Sequence, residues 1–306
     1  MPRIEIYGSG FEVHEQGSGE PVVLLHASGS SNAQWRALIE QLSPRYRVIA
    51  PDLYGYGASA NWPGRGVFCL GHEAAVVRAL LDRIDEPSHL VGHSYGGAVA
   101  LNVARSRGEL LRSLTVIEPA AFHLLRESDE TDAAALREIS AIADTVAHAL
   151  ACGEYTAGFG RFVDYWSGPG AWAGIPAAKR DALAARLSKV ALDFHATLNE
   201  PTRLEDFGAL TVATLVVQGA CSPLPTRRIC ERLAAVLPEA QSKTIEGAGH
   251  MAPVTHRDEV NCLIAAHLAE NAAKRRRTGS PHNPNPESKH DCNRAGVASA
   301  VEQLAA

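Results

Sequence analysis

The segment Gly92-His93-Ser94-Tyr95-Gly96 constrains this chain more than any other. It follows the apolar pair Leu90-Val91 and opens an Ala/Val-rich stretch that begins near Tyr95. In that context the spacing G-x-S-x-G predicts a strand, a sharp turn carrying the serine, and a helix. With no Cβ at Gly92 and Gly96, strand and helix can approach closely enough to make such a turn. A serine hydroxyl is a poor nucleophile at neutral pH. It becomes useful when a strained turn exposes it beside a base, so Ser94 is the first candidate for covalent chemistry.

The flanking sequence alternates between strand and helix patterns. Residues 4–7 and 11–15 read as two short strands joined by Gly8-Ser9-Gly10. Val22-Val23-Leu24-Leu25 is an unbroken apolar run, as in a strand covered on both faces. Ser31 is placed to cap a helix through Trp35, Leu38, Ile39 and Leu42. Strands over 46–50, 89–91 and 114–117 alternate with helices near 73–84 and 95–105, which implies a parallel, doubly wound sheet. The alternation stops between 119 and 201. Helices are expected over 133–150 and 177–198, around an irregular Gly- and aromatic-rich stretch holding Tyr155, Phe159, Phe162, Tyr165, Trp166 and Trp172. Strands resume at 215–217 and 242–245, before a last helix over 255–268. So long an insertion reads as a helical cap over the active face, whose aromatics either line a pocket or pack the cap onto the sheet.

The expected organisation is a core of 1–118 and 202–270, a cap of 119–201, and a tail of 271–306. The tail holds Lys274-Arg275-Arg276-Arg277 and then a Pro/Asn/Ser-rich stretch, a composition expected to stay disordered. The formal charge of −5 is spread over both signs and gives no case for a nucleic-acid partner. The 6 cysteines form no C-x-x-C pair and read as free thiols in a reducing compartment. No stretch approaches the roughly 18 apolar residues needed to span a bilayer, and Met1-Pro2-Arg3-Ile4-Glu5 does not open a signal peptide. A cytoplasmic protein is expected, with no membrane insertion and a small-molecule substrate.

Three motifs in order resemble the α/β-hydrolase fold over about residues 4–270: His26 with its Ser/Gly-rich turn, the Gly92–Gly96 elbow, and Gly247-Ala248-Gly249-His250. The resemblance implies an α/β fold, with a mostly parallel doubly wound sheet and a helical cap inserted between two late strands. It also implies that His250 is delivered beside Ser94, where an imidazole suits the general base because it titrates near working pH. By the same pattern the backbone N–H groups of Tyr95 and Ser28 form the oxyanion hole, the first at a helix N-terminus, and His26 is structural.

The chain departs from its relatives at the third catalytic group. Most carry an aspartate in the loop that here reads Gly219-Ala220-Cys221-Ser222-Pro223-Leu224-Pro225-Thr226, which has no carboxylate and places Ser222 where the acid is expected. A serine cannot hold an imidazolium electrostatically. Glu118, just past the strand 114–117, also reaches the carboxyl edge of the sheet, where open α/β sheets place their chemistry. Some haloalkane dehalogenases of this superfamily carry their acid there. Asp52, Glu246 and Asp206 fit less well. Asp52 sits in a loop that is usually structural, Glu246 is too near His250 in sequence, and Asp206 lies at the wrong end of its strand.

The expected activity is therefore a serine hydrolase cleaving a small ester-like substrate through an acyl-enzyme with a Ser94–His250–Glu118 triad, needing neither metal nor organic cofactor. Dehalogenases and epoxide hydrolases of this fold place aspartate at the nucleophile, so serine argues against them. A carbon–carbon bond hydrolase shares the serine, histidine and cap. A cofactor-free haloperoxidase-like side activity would use the same triad. A non-catalytic ligand-binding protein on a hydrolase scaffold is the reading from another class.

Overall fold

The computed structural model of the chain describes residues 3–64, 66–126 and 129–279. β1 (Arg3–Ile6) and β2 (Ser9–Gln16) form an antiparallel hairpin. Its turn is Tyr7-Gly8, with φ of 51° and 74°, the left-handed pair that matches the twist of two-residue hairpins. That is one residue earlier than the Gly8-Ser9-Gly10 linker suggested. Next come β3 (Glu20–Leu25), α1 (Arg36–Leu42), β4 (Tyr46–Pro51), α2 (Leu70–Ile84), β5 (Ser88–His93), α3 (Tyr95–Arg107) and β6 (Leu111–Ile117). Ser31 caps a short 3-10 turn, Asn32–Trp35, that leads into α1.

Five helices follow before the next strand: α4 (Glu130–Cys152), α5 (Tyr155–Ser167), α6 (Ala171–Gly174), α7 (Ala177–Ala184) and α8 (Leu187–Leu198). Two expectations are corrected here. The stretch read as irregular is mostly helix, α5 and α6. The single helix expected over 177–198 is two, α7 and α8, broken at Ala185-Arg186. Glycine is a poor helix former, which is why α5 was not legible. Its Gly158 and Gly160 are needed for contact: a Cβ would come within 2.6 Å of Ala149 Cβ and of the Trp172 ring respectively.

The chain then completes the sheet with β7 (Thr214–Gly219), α9 (Leu224–Val236) and β8 (Ala240–Ile245), and ends with α10 (Ala252–Thr255) and α11 (Arg257–Gly279). Helix α11 runs past Asn271 and through the basic run, while residues 280–306 of the expected tail lie outside the described residues. The eight strands lie in the order β1-β2-β4-β3-β5-β6-β7-β8. From β4 to β8 every neighbouring pair is parallel, and β2 pairs antiparallel with β4. This is the α/β-hydrolase fold, with its cap inserted between β6 and β7.

Burial on both faces explains the apolar runs. Val23 and Leu25 of β3 join one core cluster, together with α2, α3 and the cap. Val22 and Leu24 join the other, against α1 and α11. A strand alternates its side chains, so an unbroken apolar run is what a twice-covered strand requires. Cys69, Cys152, Cys221 and Cys230 carry free thiols, and Cys292 lies outside the described residues. No helix among the described residues is long and apolar enough to cross a membrane.

Candidate active site

Ser94 sits at the join of β5 and α3 with φ 53° and ψ −116°, a backbone region costly for a residue bearing a Cβ. Neighbouring backbone holds it there. Ser94 N–H donates to Ile117 C=O at 2.9 Å, and Ala120 N–H donates to Ser94 C=O at 2.9 Å. The glycines are required by close approach. A Cβ on Gly92 would lie 2.3 Å from Gly96 O, and one on Gly96 would lie 2.4 Å from Leu25 O.

His250 arrives from the loop after β8. Cys221 N–H donates to Ala248 C=O at 2.8 Å, which ties that loop to the one after β7. His250 Nε2 lies 2.9 Å from Ser94 Oγ, and its Nδ1 lies 2.7 Å from Glu118 Oε2. A carboxylate only accepts, so Nδ1 carries the proton and Nε2 is left to accept from the serine hydroxyl. Glu118 is wholly buried at the end of β6, itself at a positive φ of 43°. Its other oxygen accepts from Gly219 N–H at 2.6 Å and from the Ser222 hydroxyl. Burial alone would push the Glu118 carboxyl up. The bond and charge of His250, with the Ser222 and Gly219 donors, outweigh that and hold it below the ordinary 4.5. The Ser94, His250 and Glu118 side chains thus meet, across separations of 156 and 132 residues.

The competing acids lie elsewhere. Asp52 accepts from Asn32 N–H at 2.7 Å and shapes its loop. Glu246 is exposed, and exposed Asp206 accepts from Arg203 N–H ahead of β7.

Three buried side chains that sequence reading left without a partner brace this centre. His26 Nδ1–H donates to Ala27 C=O at 2.8 Å, and its Nε2 accepts from Leu53 N–H at 3.1 Å. Gln34 Oε1 accepts from Ala27 N–H at 3.1 Å, while its amide lies 3.1 Å from His93 Nδ1. His93 Nε2–H reaches His250 C=O at 2.9 Å. The turn after β3 is thereby linked, through Gln34 and His93, to the backbone of His250. Burial lowers both His26 and His93 to about 3, for His93 with help from the charge of His250. Both are neutral at pH 7, so neither competes with His250 for the proton. Only the position of His93 beside Ser94 hinted at its place.

A narrow cleft of about 20 Å³ opens on Ser94 and is bordered by Ser28, Tyr95 and Asp193 on its polar side. Phe122, Phe162, Trp166 and Phe194 form its aromatic side. The Trp166 ring lies 4.0 Å from the His250 ring, centre to centre. Of the cap aromatics named from sequence, Phe162 and Trp166 face the cleft. Phe159 and Trp172 pack on each other at 5.7 Å, Tyr165 donates to Glu138 at 2.7 Å, and Tyr155 is exposed. Among the described residues no cluster of three or more His, Cys, Asp or Glu is arranged to hold a metal ion.

Residues 22–261 match the model of a family described as the alpha/beta hydrolase family. Over 99 residues the chain is 43% identical to a 2-hydroxy-6-oxo-2,4-heptadienoate hydrolase of Pseudomonas putida, covering 30% of this chain and 34% of that protein. It is 36% identical over 115 residues to a pimeloyl-[acyl-carrier protein] methyl ester esterase of Aeromonas hydrophila, covering 38% and 44%. The chain thus spans less than half the length of these curated relatives. A hydrolase structure from Pseudomonas aeruginosa superposes with a TM-score of 0.68 at 21% identity, covering 87% of this chain and 97% of that one, a likeness of fold.

Proposed function

This chain belongs to the alpha/beta hydrolase family, and from that premise we propose that it is a serine esterase acting on a small, neutral ester. One observation carries the reading: an unbroken hydrogen-bonded line from Ser94 Oγ through His250 to Glu118, with links of 2.9 and 2.7 Å. Ser94 attacks the ester carbonyl as His250 Nε2 takes its proton. Glu118 holds the Nδ1–H tautomer and stabilises the imidazolium. The N–H groups of Tyr95 and Ser28 receive the oxyanion. Ala27 N–H is engaged by Gln34, which favours its neighbour Ser28 as the donor on that turn. His250 then protonates the leaving alcohol. Water, deprotonated by His250 in its turn, releases the acid. The steps use only the chain's own groups and water, and neither metal nor organic cofactor enters. We assign 1–118 and 202–270 to the catalytic core and 119–201 to the cap, with the reaction in the cytoplasm and no nucleic-acid partner.

Carbon–carbon bond cleavage is the second reading, favoured by the heptadienoate hydrolase match. The cleft argues against it. A dienoate carries a carboxylate, yet the described lining has no Lys or Arg and does include the Asp193 carboxylate. The nearby Lys189 is taken by Asp193 and Glu73.

A panel of p-nitrophenyl esters from acetate to octanoate, run beside vinylogous diketones with Ser94→Ala as control, tests the choice. We expect the short esters to turn over with a burst that Ser94→Ala abolishes. Faster diketone cleavage would replace the reading with the second one. Ligand binding without turnover of either class would point to a non-catalytic scaffold.

A further inference from the structure

The Ser28 hydroxyl is tied to the cap. Ser28 Oγ donates to Asp193 Oδ2 at 2.6 Å, and the Tyr56 hydroxyl donates to the same oxygen at 2.5 Å. The two hydroxyl oxygens are 2.9 Å apart. The other Asp193 oxygen takes the ammonium of Lys189, one turn earlier on α8. Lys189 also lies 3.4 Å from Glu73 of α2, and sits 4.6 to 4.9 Å from the ring centres of Tyr56, Phe68 and Tyr95. Asp193, Lys189, Glu73 and Tyr56 are all buried. A buried carboxylate that accepts from two hydroxyls and an ammonium has few alternative arrangements, because any donor it loses leaves charge without a partner.

Asp193 and Ser28 are 165 residues apart, one on a cap helix and the other on the core turn after β3. That turn is held from the core side by Gln34 on Ala27 N–H. From the cap side it is held by Asp193 on Ser28. Anchoring Oγ restrains the Ser28 backbone that carries it.

We propose that Asp193 is a positioning residue: through the Ser28 hydroxyl it aims the Ser28 N–H, so that the oxyanion hole is complete only when α8 is docked. The proposal rests on the esterase reading of Ser94, Ser28 and Tyr95. Losing an oxyanion donor outright costs about 10²–10³ in turnover, and a donor that remains but is no longer aimed loses part of that.

The test uses the full chain and three variants: Ser28→Ala, which keeps the backbone N–H, Asp193→Asn, and Tyr56→Phe. The readouts are kcat and KM on the best short ester, and inhibition by a trifluoromethyl ketone, whose adduct with Ser94 places an oxyanion in the hole. We expect Ser28→Ala and Asp193→Asn each to lower kcat about ten- to a hundredfold. KM should move less than threefold, and ketone affinity should fall in parallel with kcat. Combining Ser28→Ala with Asp193→Asn in a double variant should be no worse than the more affected single, because both remove the same link. Tyr56→Phe should show the same pattern more weakly, and with Ser28→Ala it decides the matter if Asp193→Asn does not fold. Undiminished kcat in Ser28→Ala, a rise in KM as large as the loss of ketone affinity, or multiplying effects in the double variant would overturn the proposal. If the parent protein itself neither cleaves esters nor binds the ketone, the reading of Ser94 fails and the proposal falls with it.

Discussion

Glu118 and Glu73 are both wholly buried, yet their surroundings drive them in opposite directions. Glu118 lies where strand ends converge. His250, Ser222 and Gly219 all donate to it, and it stays below the ordinary carboxylate value. Glu73 lies on α2 under the cap. Burial raises it to about 7, against the pull of Lys189 and with a further push from the charge of Asp193. Its Oε1 accepts from Tyr54 N–H at 3.2 Å, while its Oε2 has no hydrogen-bond partner among the described residues. Burial alone therefore does not decide the charge state here. The number of donors does, and the sheet edge supplies more of them than the cap interface.

The strongest way to break the comparison is Glu118→Gln, which keeps the shape and removes the charge. Turnover should fall about 10³–10⁴-fold, as when other triads lose their acid, with the fold intact by circular dichroism. A loss under tenfold would remove Glu118 from the triad. Adding Ser222→Asp to that variant returns a carboxylate to the loop after β7, beside Glu118, and should recover about ten- to a hundredfold of the lost rate, read as kcat on the same ester.

Ser222→Ala alone removes one donor from Glu118. Turnover should drop about tenfold, in line with one lost hydrogen bond to a charged group. The acid limb of the pH–rate profile should also move to higher pH, because the carboxylate is less well held. A profile that stays in place would show that Ser222 does not tune the acid.

The smallest effect on turnover is expected at Glu73, where Glu73→Gln should show mainly in stability against pH. The folded value of Glu73 lies above the ordinary 4.5, so the folded state binds more protons between pH 4.5 and 7. Its contribution to stability is present below pH 4.5 and is lost as pH rises through 7, by at most about 3 kcal/mol. Glu118, held low, contributes with the opposite slope, present above pH 4.5 and lost as pH falls. Buried His26 and His93, held low, make stability rise with pH over much of this range, so Glu73 is read from the difference: the urea midpoint of the parent relative to Glu73→Gln should fall as pH rises from 4.5 to 7. A difference that does not change with pH would mean that Glu73 stays ionised when folded.

The parts of this molecule that sequence makes legible are those encoded by short-range pattern. The elbow follows from glycine spacing, the strands from apolar runs covered on both faces, and the place of Glu118 from a strand end that also carries Pro119. What stayed hidden depends on groups brought together from far apart. The loop after β7 shows only a missing carboxylate. That Ser222 donates to the replacement from β6 is visible only once the two loops meet. Lys189 and Asp193 form an i,i+4 pair of the kind that normally laces an exposed helix face, and nothing local says that the cap turns it inward onto Ser28. Helix α5 was obscured for a related reason, since its glycines serve packing against α4 and Trp172 rather than helix propensity.

The most direct test of the account is the rate at which a fluorophosphonate labels the chain, with the site located by peptide mass mapping. The aligned Ser94, His250 and Glu118 side chains predict a single adduct on Ser94, formed at least a hundredfold more slowly in His250→Ala and in Glu118→Gln. No labelling of Ser94 in the parent protein, or equally fast labelling without the glutamate, would contradict it.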